Sequence, residues 1–290
     1  MSPSKIIFAD LDGTLISGVD HIGDGVVKLL QAASSANGVV IPVSARPVTN
    51  IATLFKGQPA VSYAIGSGGA VTAHIDSNGV ASVMHEETLA LRDGLLVMEM
   101  FAELRDKAPS MTFVFKGAAD QFEVAIIGEA SSVSDDDLSR IVGERPIVRE
   151  STIGLDGRVL GISALVRSDA VDLDVLVAEA ETLAQGWRGV AYPEYRLSGW
   201  SWVEMFTSVV TKESACQRFI ATVVDERDTA LTTIALGDSR DDVGMLRLAD
   251  LSYCPSTASE EALTVATEVI PAEGGDYFAA AIAKRLASGT

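Results

Sequence analysis

The run Lys5-Ile6-Ile7-Phe8-Ala9 ends abruptly in the acidic loop Asp10-Leu11-Asp12-Gly13-Thr14. A short apolar run without polar alternation suits a strand covered on both faces, as in a parallel sheet. A helical pattern follows, with Val26, Val27, Leu29 and Leu30 on one face. Val39, Val40, Ile41 and Val43 make a second buried run, which ends at Ser44-Ala45-Arg46-Pro47. A short helix through Ile51 and Leu54 leads to a third strand near 61–65. Strands that alternate with helices predict an α/β fold, a Rossmann-like, doubly wound parallel sheet with helices on both faces. Ligands of such sheets lie beyond the carboxyl ends of the strands, where both polar loops fall.

The pattern then changes. Asp76-Ser77-Asn78-Gly79 separates strand-like runs at 70–74 and 80–85. Asn-Gly signals a hairpin whose two central residues take positive φ. Residues 88–206 read as a mixed α/β insert. Helices are expected at 91–104, from a capping box at 134–137, and at 173–184. Strands are expected at 111–115, 122–127 and 202–206. The first pattern then resumes: helix 211–224, strand 232–236 ending at Gly237-Asp238, helix 243–248, strand 251–254 and helix 277–286. The expected organisation is a core of residues 1–87 and 207–290, split by a domain of residues 88–206.

Composition narrows the function classes. Of 290 residues, 48% are hydrophobic and 21% charged, a globular profile with ample core. The net charge of -18 repels nucleic acid and anionic membranes, so neither is an expected partner. The same charge would repel any anionic ligand at long range, so a site for one would need a cation to neutralise it locally. No apolar run approaches the length of a membrane span. The two cysteines, Cys216 and Cys254, form no disulfide framework, and the amino terminus lacks a signal-peptide pattern. A cytoplasmic setting is expected; the oligomeric state cannot be read.

Two acidic loops carry chemical promise. Asp10 stands at a strand end, where its carboxylate can point into a cleft, and Asp12 can reach the same cleft if the loop curls. Gly13 permits the tight loop. Paired carboxylates allow one to act as nucleophile and the other as acid or base. A calcium loop is a rival reading, but its twelfth position needs a glutamate and here holds His21. In Gly237-Asp238-Ser239-Arg240-Asp241-Asp242, the carboxylates of Asp238, Asp241 and Asp242 would repel one another without a cation, and hard oxygen ligands suit Mg²⁺. Taken alone, such a run is more often a surface turn. Lys212 alone would be a surface lysine, and Ser44 alone a helix cap.

Taken together and in this order, these four elements resemble the haloacid dehalogenase superfamily. The resemblance spans the whole chain: Asp10 to Thr14 is similar to the first motif, Ser44 to the second, Lys212 to the third and Gly237 to Asp242 to the fourth. The long insert between the second and third motifs, Ser67-Gly68-Gly69 and the Asn78-Gly79 hairpin resemble the Cof-type, or type IIB, branch with its C2B-type cap. Sugar phosphatases and phosphomannomutases belong to that branch. Two departures stand out: Ser67-Gly68 where many members read Asn-Gly, and Asp241-Asp242 where they read Asn-Asp.

The resemblance implies a Mg²⁺-dependent phosphatase acting on a small phosphorylated metabolite, expected to be a sugar phosphate. Asp10 would attack phosphorus and form an aspartyl-phosphate. Asp12 would protonate the leaving alcohol and then activate water. Ser44 and Lys212 would hold phosphoryl oxygens. Leu11, Gly13, Thr14, Arg46, Gly68 and Gly69 would line the substrate site. Asp10, Asp238 and the carbonyl of Asp12 would bind the metal, with Asp241 and Asp242 beside it. The insert would choose the leaving group, with Arg158, Arg167 and Arg196 as candidate contacts. Alternatives are a sugar phosphomutase of the same branch, or a non-catalytic binding protein that kept the fold.

Overall fold

A computed structural model describes residues 4–17, 21–90, 112–117, 124–127, 147–148, 158–169, 172–193, 199–223 and 231–288. In chain order they form β1 (Lys5–Ala9), α1 (Asp24–Ser35), β2 (Gly38–Pro42), α2 (Val48–Leu54), β3 (Tyr63–Gly66), β4 (Val71–Ile75), β5 (Ala81–Glu86), β6 (Leu89–Ala90), β7 (Thr112–Gly117), β8 (Val124–Ile127), β9 (Ile147–Val148) and β10 (Arg158–Arg167). There follow α3 (Leu173–Leu183), β11 (Trp187–Tyr192), β12 (Trp200–Thr207), α4 (Lys212–Val223), β13 (Thr232–Leu236), α5 (Val243–Leu248), β14 (Leu251–Pro255), α6 (Glu260–Val265), β15 (Glu268–Ile270) and α7 (Asp276–Ser288). The chain divides into two compact units, Met1–His85 with Val210–Thr290, and Glu86–Val209.

The first unit is built on a parallel five-stranded sheet in the order β15-β14-β13-β1-β2. Its strands are apolar on both faces because helices cover both. Ile7, Ala9, Ile234 and Leu236 point to the layer of α1 and α7, where Val26, Leu29, Phe278 and Ile282 are buried. Ile6, Phe8 and Ala235 point to the layer of α4 and α5, with Ala215, Phe219, Met245 and Leu246. The alternation is the period-2 geometry of a strand. Asp276, in the first turn of α7, accepts the N–H of Gly25 at 2.6 Å and of Val26 at 3.2 Å, so one helix caps the amino terminus of another.

The expected third strand is β3, but it does not continue the parallel sheet. It pairs antiparallel with β4, within a separate sheet β3-β4-β5. It still lies beside β2: Val43 and Ile65 form a parallel bridge, Ser44 donates its N–H to the Ile65 carbonyl at 2.9 Å, and Val40 donates to the Ala60 carbonyl at 3.1 Å. The cause is local: Ser67, Gly68 and Gly69 all take positive φ (52°, 66° and 106°) and turn the chain back immediately after β3. The hairpin between β4 and β5 also differs from expectation. Only Gly79 has positive φ, and the Asp76 carboxylate instead shapes the turn by accepting the N–H groups of Asn78 and Val80. Ser44 does not cap α2, whose cap residue is Pro47.

The second unit contains a sheet in the order β11-β12-β10-β7-β8-β9, with β6 also paired to β10. Helix α3 is capped by Asp172, whose side chain accepts the N–H groups of Asp174 and Val175. The helices expected at 91–104 and from 134 fall outside the described residues, as does Arg196. Trp200 and Trp202 are buried, and Trp202 donates Nε1–H to Glu204 at 2.7 Å. Arg158 pairs with Glu86, and Arg167 pairs with Asp169 and lies over Trp200.

Candidate active site

Parallel pairing sets Ala9 opposite Leu236, so the loops after β1 and β13 leave the same sheet edge together. The first residue past β1, Asp10, donates its N–H to the Leu236 carbonyl at 2.9 Å. Strands β1 and β13 are also where the chain switches direction across the sheet, since β2 lies on one side and β14 on the other. Such a switch point opens a crevice at the carboxyl ends. Val43, next to β2, donates to the Ala9 carbonyl at 2.8 Å and delivers Ser44 to the same edge.

Lys212, at the start of α4, reaches this crevice. Its ammonium donates to Asp10 Oδ1 at 2.7 Å and to Asp242 Oδ1 at 2.6 Å, and stands 3.8 Å from Asp241 Oδ2. All four side chains are buried. One cation therefore faces three acids in a buried site. Burial pushes the Asp10 carboxyl well above its ordinary range; Lys212 pulls it down, while Asp242 and Asp238 push it up. Asp238 is also raised, first by burial and then by Asp242, against a hydrogen bond from Thr14 and the charge of Lys212.

Each acid has a distinct setting. Asp238 Oδ1 accepts the Thr14 hydroxyl at 2.6 Å. Its other oxygen lies where a Gly13 side chain would begin: a Cβ there would sit 2.4 Å from Oδ2, and Gly13 has φ of 90°. Gly13 thus serves the approach of Asp238 as well as the turn. Asp242 is committed within the fold. Its Oδ2 accepts the N–H groups of Asp238 and Ser239, both at 3.0 Å, and the Ser239 hydroxyl at 2.9 Å, while Oδ1 takes Lys212. Asp10, Asp238 and Asp242 offer carboxylate oxygens within 4.8 Å of one another. Two buried carboxylates and a partly buried one, with one ammonium, are a donor set that suits a hard divalent cation. Asp241 is not in that group.

The remaining expected residues fall as follows. Leu11 is a buried core side chain whose carbonyl accepts the N–H groups of Thr14, Leu15 and Ile16. The Gly13 N–H is bonded to the Ile16 carbonyl. Ser44 Oγ accepts the Arg46 N–H at 3.1 Å. The Arg46 guanidinium grips Asp12, with Nε 2.8 Å from Oδ2 and Nη2 2.5 Å from Oδ1. Gly68 donates its N–H to the Ser44 carbonyl at 3.1 Å. Gly69 lies against α4: a Cβ there would stand 2.3 Å from the Thr211 carbonyl, and Arg218 donates to the Gly69 carbonyl at 3.1 Å. The glycine turn thus fastens the Ser44 loop to the helix carrying Lys212. Thr14 and Ser239 position acids, roles that a linear motif does not reveal. His21 and His74 are exposed, and His85 is partly buried. Burial pushes the Cys216 thiol up, so it is no thiolate nucleophile. Among the described residues, no helix is long and apolar enough to cross a membrane.

A family model described as haloacid dehalogenase-like hydrolase matches residues 7–282. Among solved structures, the chain is similar to a HAD/COF-like hydrolase from Plasmodium vivax, with 13% identity, a TM-score of 0.74, and coverage of 100% of this chain and 97% of the other. It is similar to the phosphatase BT1666 from Bacteroides thetaiotaomicron, with 16% identity, a TM-score of 0.70, and coverage of 98% and 95%. It is also similar to the subclass IIB sugar phosphatase BT4131, with 17% identity, a TM-score of 0.65, and coverage of 91% and 92%. At these identities the likeness is one of fold. No curated protein matches the chain.

Proposed function

Because the chain belongs to the haloacid dehalogenase-like hydrolase family, a family of phosphoryl-transfer fold, we propose that it is a Mg²⁺-dependent phosphatase of small phosphate esters, with sugar phosphates as the preferred class. The observation that carries this reading is the buried Asp10 carboxylate at the switch point, held at 2.7 Å by Lys212 and crowded by Asp238 and Asp242. A carboxylate so placed is oriented for attack, and the ammonium beside it can take a phosphoryl oxygen. The sugar preference is drawn from the fold shared with a subclass IIB sugar phosphatase.

Asp10 attacks phosphorus, in line with the departing alcohol. Asp12 gives that alcohol a proton and later takes one from the water that attacks the aspartyl-phosphate. Lys212 and Ser44 hold phosphoryl oxygens, and the turn at 67–69, bonded to the Ser44 carbonyl and to Arg218 of α4, ties their two segments together. Asp10, Asp238 and the carbonyl of Asp12 would hold the ion, and Asp242, already bonded on both oxygens, keeps the Asp238 loop and Lys212 in register. The bound cation supplies positive charge against both the carboxylates and the substrate phosphate. We assign the choice of leaving group to the inserted unit, and a reducing compartment to the protein, since both cysteines are free and buried.

The test is phosphate release from a panel of sugar phosphates, aminosugar phosphates and nucleotides, with Mg²⁺ and with chelator. Turnover that requires the ion and vanishes in Asp10→Asn, with the fold intact, is the expected result. Full turnover by purified Asp10→Asn would remove Asp10 from the reaction.

A further inference from the structure

The fork between Arg46 and Asp12 assigns the arginine a task other than gripping phosphate. Arg46 is 6% exposed, whereas the Asp12 side chain is 36% exposed, so a buried arginine holds a carboxylate that faces outward. Both Asp12 oxygens are engaged, one by Nε at 2.8 Å and the other by Nη2 at 2.5 Å. A planar guanidinium bonded this way fixes the plane and direction of a carboxylate, which a lysine cannot do. The arginine is itself held at both ends of its backbone. Its N–H donates to Ser44 Oγ at 3.1 Å, and its carbonyl accepts the Ser67 N–H at 2.9 Å. Gly66 lets that turn come close, since a Cβ there would stand 2.7 Å from the Arg46 carbonyl. The left-handed turn at 67–69 therefore supports Arg46, and Arg46 supports Asp12.

We propose that Arg46 is a positioning residue for Asp12 rather than a phosphate clamp. The inference rests on the phosphatase reading above. As the P–O bond to the alcohol breaks, that oxygen keeps the bonding pair and takes the proton from the Asp12 carboxyl. Asp12 becomes a carboxylate, whose plane and direction the Arg46 fork fixes. In the second half, Asp12 takes a proton from water as the water oxygen bonds to phosphorus. The bond from phosphorus to Asp10 then breaks and Asp10 regains its carboxylate. Proton transfer of this kind needs the carboxyl within hydrogen-bond reach of the leaving oxygen, so orientation matters most when that oxygen is a poor leaving group.

The experiment compares kcat/KM for an alkyl phosphate and for p-nitrophenyl phosphate, whose phenolate leaves without a proton. Wild type, Arg46→Lys and Arg46→Ala are measured on both, and Arg46→Ala is repeated in an Asp12→Ala background. The alkyl ester is expected to lose about 100-fold in Arg46→Ala, the lower end of what acid catalysis contributes, while the aryl ester stays within about fivefold. In the Asp12→Ala background the arginine change adds less than about threefold, because the two residues act as one unit. Arg46→Lys, which keeps the cation but not the fork, shows the same ordering and serves if the alanine variant does not fold. Equal losses on both esters, or a full further loss in the Asp12→Ala background, would overturn the inference and make Arg46 a phosphate clamp. Wild-type protein that turned over neither ester would overturn the phosphatase reading, and this inference with it.

Discussion

Asp10 is the residue on which stability and chemistry pull in opposite directions. Burial among like charges raises its pKa, so over the window from the ordinary carboxylate value, about 3.9, up to its folded value, the native state binds more protons than the unfolded state. Stability must then fall as pH rises through that window, and Asp238, shifted in the same direction, adds to the loss. A cation among these acids reverses the effect, because it replaces the proton. In chelator at neutral pH, Asp10→Asn should raise Tm by about 3 °C, the shift that about 1 kcal/mol gives in a chain of this size. Mg²⁺ should stabilise wild type more than the variant. A lower Tm for Asp10→Asn in chelator would show that the charge is not a strain on the fold. Gly13→Ala tests the neighbouring constraint: a side chain there meets Asp238 Oδ2 and must hold φ of 90°, so both activity and about 1–3 kcal/mol of stability should be lost. Denaturant unfolding and phosphate release measure the two losses, and a fully active alanine variant would contradict the geometry.

The residues that could be read from sequence are those whose chemistry is local. Asp10, Asp12 and Gly13 announce themselves as an acidic loop after an apolar run, and Asp238 does the same. What could not be read is partnership across the chain. Thr14 serves Asp238 from 224 positions away, and Arg46 serves Asp12 from 34 positions away. No periodicity encodes such pairs; they follow from which strand lies beside which.

At the scale of elements, β1, β2, β13 and β14 were legible because strands buried on both faces lack alternation. Strand β3 was legible as a strand but not in its pairing, since the positive φ of Ser67 decides that and serine gives no warning of it. The hairpin after β4 was legible from its residues, yet Asp76 rather than Asn78 shapes it. Helix capping across the fold was not legible at all. Asp276 begins α7 but bonds the first N–H groups of α1, 251 positions away. Asp276→Ala should therefore cost about 1 kcal/mol, the usual loss for a cap, and leave KM unchanged. Urea unfolding checks the first part. An unchanged midpoint would show that water replaces the cap without loss.

At the scale of the whole molecule, the excess of 40 acidic over 22 basic residues meets a proposed substrate that is itself an anion. The net charge of -18 repels it at long range, and the short-range attraction of Lys212 and a cation acts only inside the crevice. Salt shortens the reach of the repulsion from about 30 Å at 0.01 M to about 8 Å at 0.15 M. Across that range kcat/KM for an anionic ester should rise, read from initial rates at constant free Mg²⁺. A steady fall would mean that a local positive field governs encounter instead. The expected division at 88–206 was read from a break and resumption of one strand–helix pattern.

The central claim is that phosphorus passes through the Asp10 carboxylate. Protein mixed with a turning-over phosphate ester, quenched in acid and reduced with borohydride, converts an aspartyl-phosphate to homoserine at the modified position. Peptide mass spectrometry should find homoserine at position 10, with Mg²⁺ present during turnover, and none in Asp10→Asn. Homoserine at another aspartate, or continued turnover with no modified residue at all, would contradict the account.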